Sequence, residues 1–205
     1  MTNADHMEPD EQMKPQLGDT ILNRYTLVSS LRKEPGLEAW QANDRVLAKD
    51  CQLFIITDRS AFAAIDKLAG RIAATRPDRV IPILKYRMES DVLLIVMPVD
   101  SGQCLTDYMV DTAKPLSYSA IRSIIGECAD VLREVIADTP SGIVITTDTV
   151  RVTTSGVQIA DAPCATMLAD TSATDLRTDG PERYAIRQLA ALLYTLLTRT
   201  PSQAT

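Results

Sequence analysis

The residues of this chain that could do chemistry are few and scattered. Its only histidine, His6, falls in a polar, acidic N-terminal stretch. A core without histidine has no His-based general acid–base catalysis, no Ser-His-Asp triad and no His-ligated zinc. The four cysteines, Cys51, Cys104, Cys128 and Cys164, are widely spaced and form no Cys-x-x-Cys pair. That is the pattern of buried reduced thiols rather than of a disulfide or metal set. Two aspartates stand out by position. Asp148 lies in Ile145-Thr146-Thr147-Asp148-Thr149, and Asp161 follows the apolar segment Val157-Gln158-Ile159-Ala160. Each reads first as a solvated loop carboxylate, and only second as a general base (Asp148) or a metal ligand (Asp161). The stretch 166–178 sets hydroxyls beside acids, so Thr171, Ser172, Thr174 and Thr178 are candidate phosphorylation sites. Phosphate there would order the loop or create a docking site; an ordinary loop is the plainer reading.

The elements that must position these groups follow from periodicity and punctuation. Residues 1–18 hold Pro9, Pro15 and little apolar content, and are expected to be a flexible acidic lead. Residues 25–31 alternate, with Tyr25, Leu27 and Leu31 on one face, as a strand does. Residues 32–36 read as a turn, 38–42 as a second strand with Trp40 packing in the sheet, and 50–56 as a third. Ser60 is placed to cap a helix running to about Thr75, with Phe62, Ile65, Leu68 and Ile72 on one face. Strands at 80–87, interrupted by Pro82, and at 92–97 precede a polar break at 98–102.

Beyond the break, 103–110 reads as a short helix. A long one starts at Pro115-Leu116-Ser117, with Ile121, Ile124, Ile125, Cys128, Val131, Leu132 and Val135 as its apolar stripe. Residues 143–145, 150–153 and 157–159 read as short β segments, and a Thr/Ala/Asp-rich loop fills 163–181. The last helix, 182–197, is apolar nearly all round, which predicts burial on most sides. Strands with one helix, then helices with a small hairpin, predict an α+β fold in two lobes, 19–99 and 100–205.

Composition excludes several classes. At 45% hydrophobic and 23% charged over 205 residues, the chain has an ordinary globular composition. A net charge of -6 disfavours nucleic acid or an anionic membrane as the main partner. No window approaches the roughly 18 apolar residues of a membrane span, and the N-terminus lacks the apolar core of a signal peptide. The expected location is cytoplasmic, with a membrane tether left open if the chain is part of a larger protein.

Segments spread over the chain resemble the bacterial Ser/Thr protein kinases. Arg24-Tyr25-Thr26-Leu27 is similar to their first strand. Ala39-Trp40-Gln41-Ala42-Asn43-Asp44, then Leu47 and Asp50-Cys51-Gln52-Leu53-Phe54, are similar to the second and third. Asp100-Ser101-Gly102-Gln103-Cys104-Leu105 resembles the post-hinge D-G-x-S-L, and Val157-Gln158-Ile159-Ala160-Asp161 the strand entering the metal-binding D-F-G. Leu192-Leu193-Tyr194-Thr195-Leu196-Leu197-Thr198 with Pro201 resembles the helix end L-L-Y-x-L-L-T-G-x-x-P. The resemblance implies a two-lobed protein-kinase-like fold: a five-stranded N-lobe with one helix, and a truncated, mainly helical C-lobe. Within that fold the chain is similar to pseudokinases, in particular the intracellular pseudokinase domain attached to some bacterial lipid II flippases of cell-wall synthesis.

What the resemblance implies about chemistry is mostly loss. Where the family has G-x-G-x-x-G over the phosphates, Leu31-Arg32-Lys33-Glu34-Pro35-Gly36 has one glycine, a proline without an N–H, and a glutamate that repels a triphosphate. Phe54 stands at the position of the ATP-gripping lysine and Gln52 at that of the small alanine beside adenine. The helix glutamate that pairs with that lysine falls near Asp66 or Lys67. The catalytic loop is compressed into 145–149, about three residues short of H-R-D-x-x-x-x-N, with Asp148 its only acid and Thr149 at the metal-binding asparagine.

Asp161 keeps the D-F-G aspartate, but Ala162-Pro163 follow it, and a single ligand holds Mg²⁺ poorly. Ala185 and Ala190 replace the family's helix aspartate and glycine. That aspartate normally bonds the catalytic-loop backbone, so its loss fits a loop that is no longer held for catalysis. The implied reading is a degenerate nucleotide cleft around Glu34, Gln52, Phe54 and Asp161, with no catalytic residue, no cofactor and no metal. Its role would be regulation through a protein partner, such as a phosphothreonine-binding protein or an active Ser/Thr kinase. Two alternatives stay open: an atypical ATP-binding kinase or nucleotide-dependent transferase, and an α+β domain whose element order matches by coincidence.

Overall fold

Strand pairing builds most of the first half of the chain. The computed structural model describes residues 14–89, 91–110, 115–138, 143–165 and 180–200. Strands β1 (Thr20–Ile21), β2 (Tyr25–Glu34), β3 (Leu37–Asp44), β4 (Lys49–Ile56), β5 (Lys85–Glu89) and β6 (Val92–Pro98) form one antiparallel sheet in the order β1-β2-β3-β4-β6-β5. The sheet thus has six strands rather than the five expected, because Thr20 and Ile21 pair back onto Thr26 and Tyr25. The predicted turn at 32–36 shrinks to Pro35 and Gly36, since Glu34 still pairs with Leu37. Gly36 sits at φ 76, where a Cβ would meet the Asp58 side chain at 2.6 Å. Leu31 does not follow Tyr25 and Leu27 into the core; register shifts after Leu27 and Ser30 break the alternation and leave it exposed.

Both faces of the sheet are covered. Leu37, Phe54, Ile56, Ile95 and Met97 share a core with Phe62, Ile65 and Ala69 of helix α1 (Arg59–Thr75). Tyr25, Leu27, Trp40, Leu53 and Ile55 fill the opposite face. The expected helical stripe is buried, but the N-cap is Asp58, whose carboxylate accepts from the backbone N–H of Ser60 at 2.9 Å. Further along the helix, Leu68 and Ile72 enter the second half's core, so α1 belongs to both. Val80 leaves the sheet and bridges Ile159 instead, and the predicted strand at 80–87 reduces to β5.

The second half contains β7 (Gln103–Cys104), α2 (Leu105–Val110), α3 (Tyr118–Asp138), β8 (Val150–Thr153), β9 (Gly156–Ile159) and α4 (Pro181–Thr198). The short strands form a sheet in the order β7-β8-β9. The α3 stripe is buried as its spacing predicts, apart from the half-buried Ile125. Glu127 of α3 ties the small sheet down, accepting from the Val157 backbone N–H at 2.8 Å and from Arg79. Residues 143–145 are buried but form no strand. Helix α4 buries one face only, through Tyr184, Ala185, Gln188, Leu192 and Leu196. Ile186, at 65% exposure, with Tyr194 and Leu197 lies on the outer face. Apolar composition did not mean burial, because among the described residues no element packs there.

Candidate functional site

Between the large sheet and the β7–β8–β9 sheet lies a cleft of about 320 Å³. Its sheet side is made by Leu31 and Arg32 of β2, Ala39 of β3, and Gln52 and Phe54 of β4. The face that carries Gln52 also carries Phe54, two residues on. Phe54 lies between Ala39 and Ile95 in the sheet and is only 2% exposed. Its ring is part of the core with α1 while bordering the cleft, so this position packs rather than donates.

Facing it are Asp100, Gly102, Cys104, Arg151 and Asp161. Arg151, on β8, is the centre of this wall, its side chain 13% exposed. Its Nε donates to Asp100 Oδ2 at 2.7 Å, and its Nη1 reaches Cys104 Sγ at 3.4 Å and the Asp148 carbonyl. Nη2 lies 4.0 Å from Asp161 Oδ2. Gly102 is required for this arrangement: a Cβ there would fall 2.6 Å from the Arg151 Cβ. Arg151 remains a cation under all ordinary conditions.

Asp161 directly follows Ala160 at the end of β9 and adopts a left-handed conformation, φ 56, which aspartate tolerates. Its side chain is 16% exposed, so it is not the solvated loop carboxylate expected. Burial pushes its pKa up, and the charges of Asp100 and Asp148 add to the rise, while Arg151 and Arg32 oppose it. Asp148 is exposed and accepts from Thr106 Oγ1 at 2.7 Å. Thr149, at the position of the metal-binding asparagine, is buried and uses its hydroxyl within its own turn, donating to Val144 O at 3.0 Å.

The backbone entering residues 145–149 is held by a side chain of α4 other than residue 185. Gln188 of α4 does the holding: its Oε1 accepts from the Ile145 N–H at 2.5 Å and its Nε2 donates to Ile143 O at 3.1 Å. This also explains why 143–145 is not a strand, since its backbone groups are satisfied by a side chain.

Gln52, Phe54 and Asp161 therefore meet in the cleft, and Glu34 does not: it stands exposed at the tip of the β2–β3 hairpin. Arg151 and Gln188 carry the geometry without having been singled out in sequence, and Asp100 entered only as part of the post-hinge segment. The signal for Arg151 was a lone cation between Val150 and Val152. Of the cysteines, Cys51, Cys128 and Cys164 are buried, and Cys104 is partly accessible in the cleft wall. Burial pushes the Cys51 thiol up to about 11 and Cys128 up to about 12. Thr171, Ser172, Thr174 and Thr178 lie outside the described residues.

The residues of the cleft do not fit ATP and Mg²⁺ in the kinase manner. Phe54 has no donor for a phosphate, and the charge of Asp161 faces an arginine. Among the described residues no three His, Cys, Asp or Glu side chains converge on a metal position, and no helix is long and apolar enough to cross a membrane.

No protein-family model matches the chain, and no curated protein does. Among solved structures, the PknI kinase domain of Mycobacterium tuberculosis is similar over 92% of this chain and 79% of that one, with a TM-score of 0.67 and 17% sequence identity. A likeness of that extent at that identity speaks to architecture: the chain has an α+β, protein-kinase-like fold.

Proposed function

We propose that this chain is a pseudokinase domain, a protein-kinase-like fold without phosphoryl transfer that works as a regulatory or protein-interaction module. The observation that carries this reading is the Arg151 guanidinium inside the cleft, bonded to Asp100 and set beside Asp161. Phosphoryl transfer is mainly positioning and charge stabilisation. A kinase answers its aspartate with Mg²⁺ and its triphosphate with a lysine and backbone amides. Here an arginine of the chain itself stands 4.0 Å from the aspartate, Phe54 stands at the lysine position, and Pro35 offers no N–H. An incoming metal would meet that cation, and an incoming phosphate would find neither the lysine nor the amide, with Arg32 the other cation lining the cleft.

The finer likeness, to the pseudokinase domains of lipid II flippases, rests on the sequence segments quoted above and would place the module in cell-wall synthesis. The partner that fits is a protein, either an active Ser/Thr kinase or a phosphothreonine-binding protein engaged through 166–178.

Thermal melting with ATP and MgCl₂ tests the reading. No shift in Tm is expected. A ligand at a hundredfold excess over its Kd stabilises by about 2.7 kcal/mol; a shift of that size, with transfer of labelled phosphate, would instead establish an atypical kinase. A pull-down before and after treatment with an active Ser/Thr kinase tests the partner.

A further inference from the structure

Strand β5 is the outer strand of the six-stranded sheet, and Lys85, Tyr86, Arg87, Met88 and Glu89 are all exposed. Among the described residues it pairs with β6 alone, so its outer N–H and C=O groups form an open edge. Proteins usually blunt such edges with a charge that repels a second strand. This edge carries both signs, in an order complementary to itself.

Consider a second copy laid antiparallel against β5. Centred on Tyr86, Lys85 of each copy would face Arg87 of the other, which makes two like-charged pairs. Centred on Arg87, the two guanidiniums would face each other, although Lys85 of each copy would then face Glu89 of the other. Centred on Met88, Arg87 of each copy faces Glu89 of the other, and Lys85 is brought towards Asp91, the exposed residue of the following turn. On the alternate face the two Met88 side chains meet at the axis, with each Tyr86 diagonal to the opposite Met88, within reach of a sulfur–aromatic contact. Of these three registers, the one centred on Met88 is the one that sets no like charges opposite each other.

We propose that β5 is a self-association edge, at which two copies of this chain join their sheets antiparallel about Met88. This interface is independent of the cleft and of the reading given to it. Two five-residue strands bury little area, so the dimer is weak and concentration-dependent. Its ion pairs are exposed, so it weakens with salt. Within one copy Arg87 Nε already lies 3.1 Å from Glu89 Oε1, and Arg59 contacts Asp91. Association exchanges the first of these local pairs for two pairs across the axis.

Sedimentation velocity of the whole chain over a concentration series is the test. The native chain should show a rising dimer fraction that falls with added salt. Glu89→Arg sets cation against cation twice and should weaken association by about tenfold or more; Arg87→Glu should do the same. The double variant R87E/E89R exchanges the charges and should restore the native dimer. Each position is exposed, so unchanged melting curves check that folding is intact. A monomer at every concentration, a dimer indifferent to Glu89→Arg, or a double variant that fails to recover would each overturn the proposal.

Discussion

Two arginine–aspartate pairs in this molecule behave in opposite ways. Arg24 and Asp44 meet fork to fork, Nε to Oδ1 at 2.8 Å and Nη2 to Oδ2 at 2.6 Å, and the same carboxylate accepts from the backbone N–H groups of Val46 and Leu47. The bond from Arg24 is the main reason the Asp44 pKa falls to about 2. In the cleft, Arg151 gives its nearest bonds to Asp100, Cys104 and the Asp148 carbonyl, and stands 4.0 Å from Asp161. Burial then outweighs that distant cation, and the Asp161 pKa rises. The first pair closes the β3–β4 turn and is satisfied. The second shares one cation between two acids in a drier place, so one of its carboxylates is left less fully compensated.

The sharpest break in this comparison comes from removing the shared cation. Arg151→Ala leaves Asp100 and Asp161 on the same cleft wall without the cation they share, with Arg32 the other cation lining the cleft. Losing one partner of a buried charge pair typically costs 3–5 kcal/mol, and the opening of this cleft to water places the loss near 3 kcal/mol, at about the low end. Chemical denaturation should record it as a lower midpoint. Arg151→Met keeps the apolar stem and should lose nearly as much, which separates charge from packing. If both variants keep the native midpoint, Arg151 is not what holds the cleft wall.

Much of the architecture was legible because its cause is local. The short apolar run of β4 and the 3–4 spacing of α1 and α3 are properties of neighbouring residues, and the structure buries them. The failures share a different cause. Residues 143–145 look like a strand because three apolar residues run together, yet their backbone partner is Gln188, 43 and 45 positions away. Helix α4 has apolar residues on every side, so periodicity carried no information about which side faces the core. In the candidate site, Phe54, Gln52 and Asp161 were legible from the kinase resemblance, whose motifs concern positions that do chemistry. Arg151 belongs to no such motif; its role appears only once β8 is laid beside Asp100 and Asp161.

A smaller effect comes from the satisfied pair. Asp44→Asn keeps an oxygen for the Val46 and Leu47 N–H groups but loses the ionic fork to Arg24. At neutral pH the melting temperature should fall by about 3 °C for a protein of this size. The sign of the pH dependence follows from the lowered pKa. The carboxylate's contribution is complete above its unfolded value near 3.9 and is lost as pH falls through about 2. The native and variant melting temperatures should therefore converge at the acid end and diverge between pH 2 and 4. A gap that persists unchanged in acid would show that shape rather than charge holds the turn.

The smallest effect expected is also the one of opposite sign. Asp161→Asn replaces a carboxylate whose ionised form the fold disfavours, because burial outweighs the attraction of Arg151. A raised folded-state pKa means that the protonated acid is the form better accommodated. The penalty of ionisation is absent below the unfolded value near 3.9, sets in as pH rises past it, and is complete above the raised folded value. The variant should thus melt above the native protein at pH 7, with the difference closing as pH falls towards 3, the reverse of Asp44→Asn. Arg151 keeps Asp100 in this variant, so the cleft wall retains its main bond. Measuring both asparagine variants over one pH series tests the comparison directly, since two substitutions of the same chemistry must move stability in opposite directions. If Asp161→Asn destabilises at neutral pH, the 4.0 Å approach of Arg151 is worth more than the burial it accompanies, and the two pairs are of one kind after all.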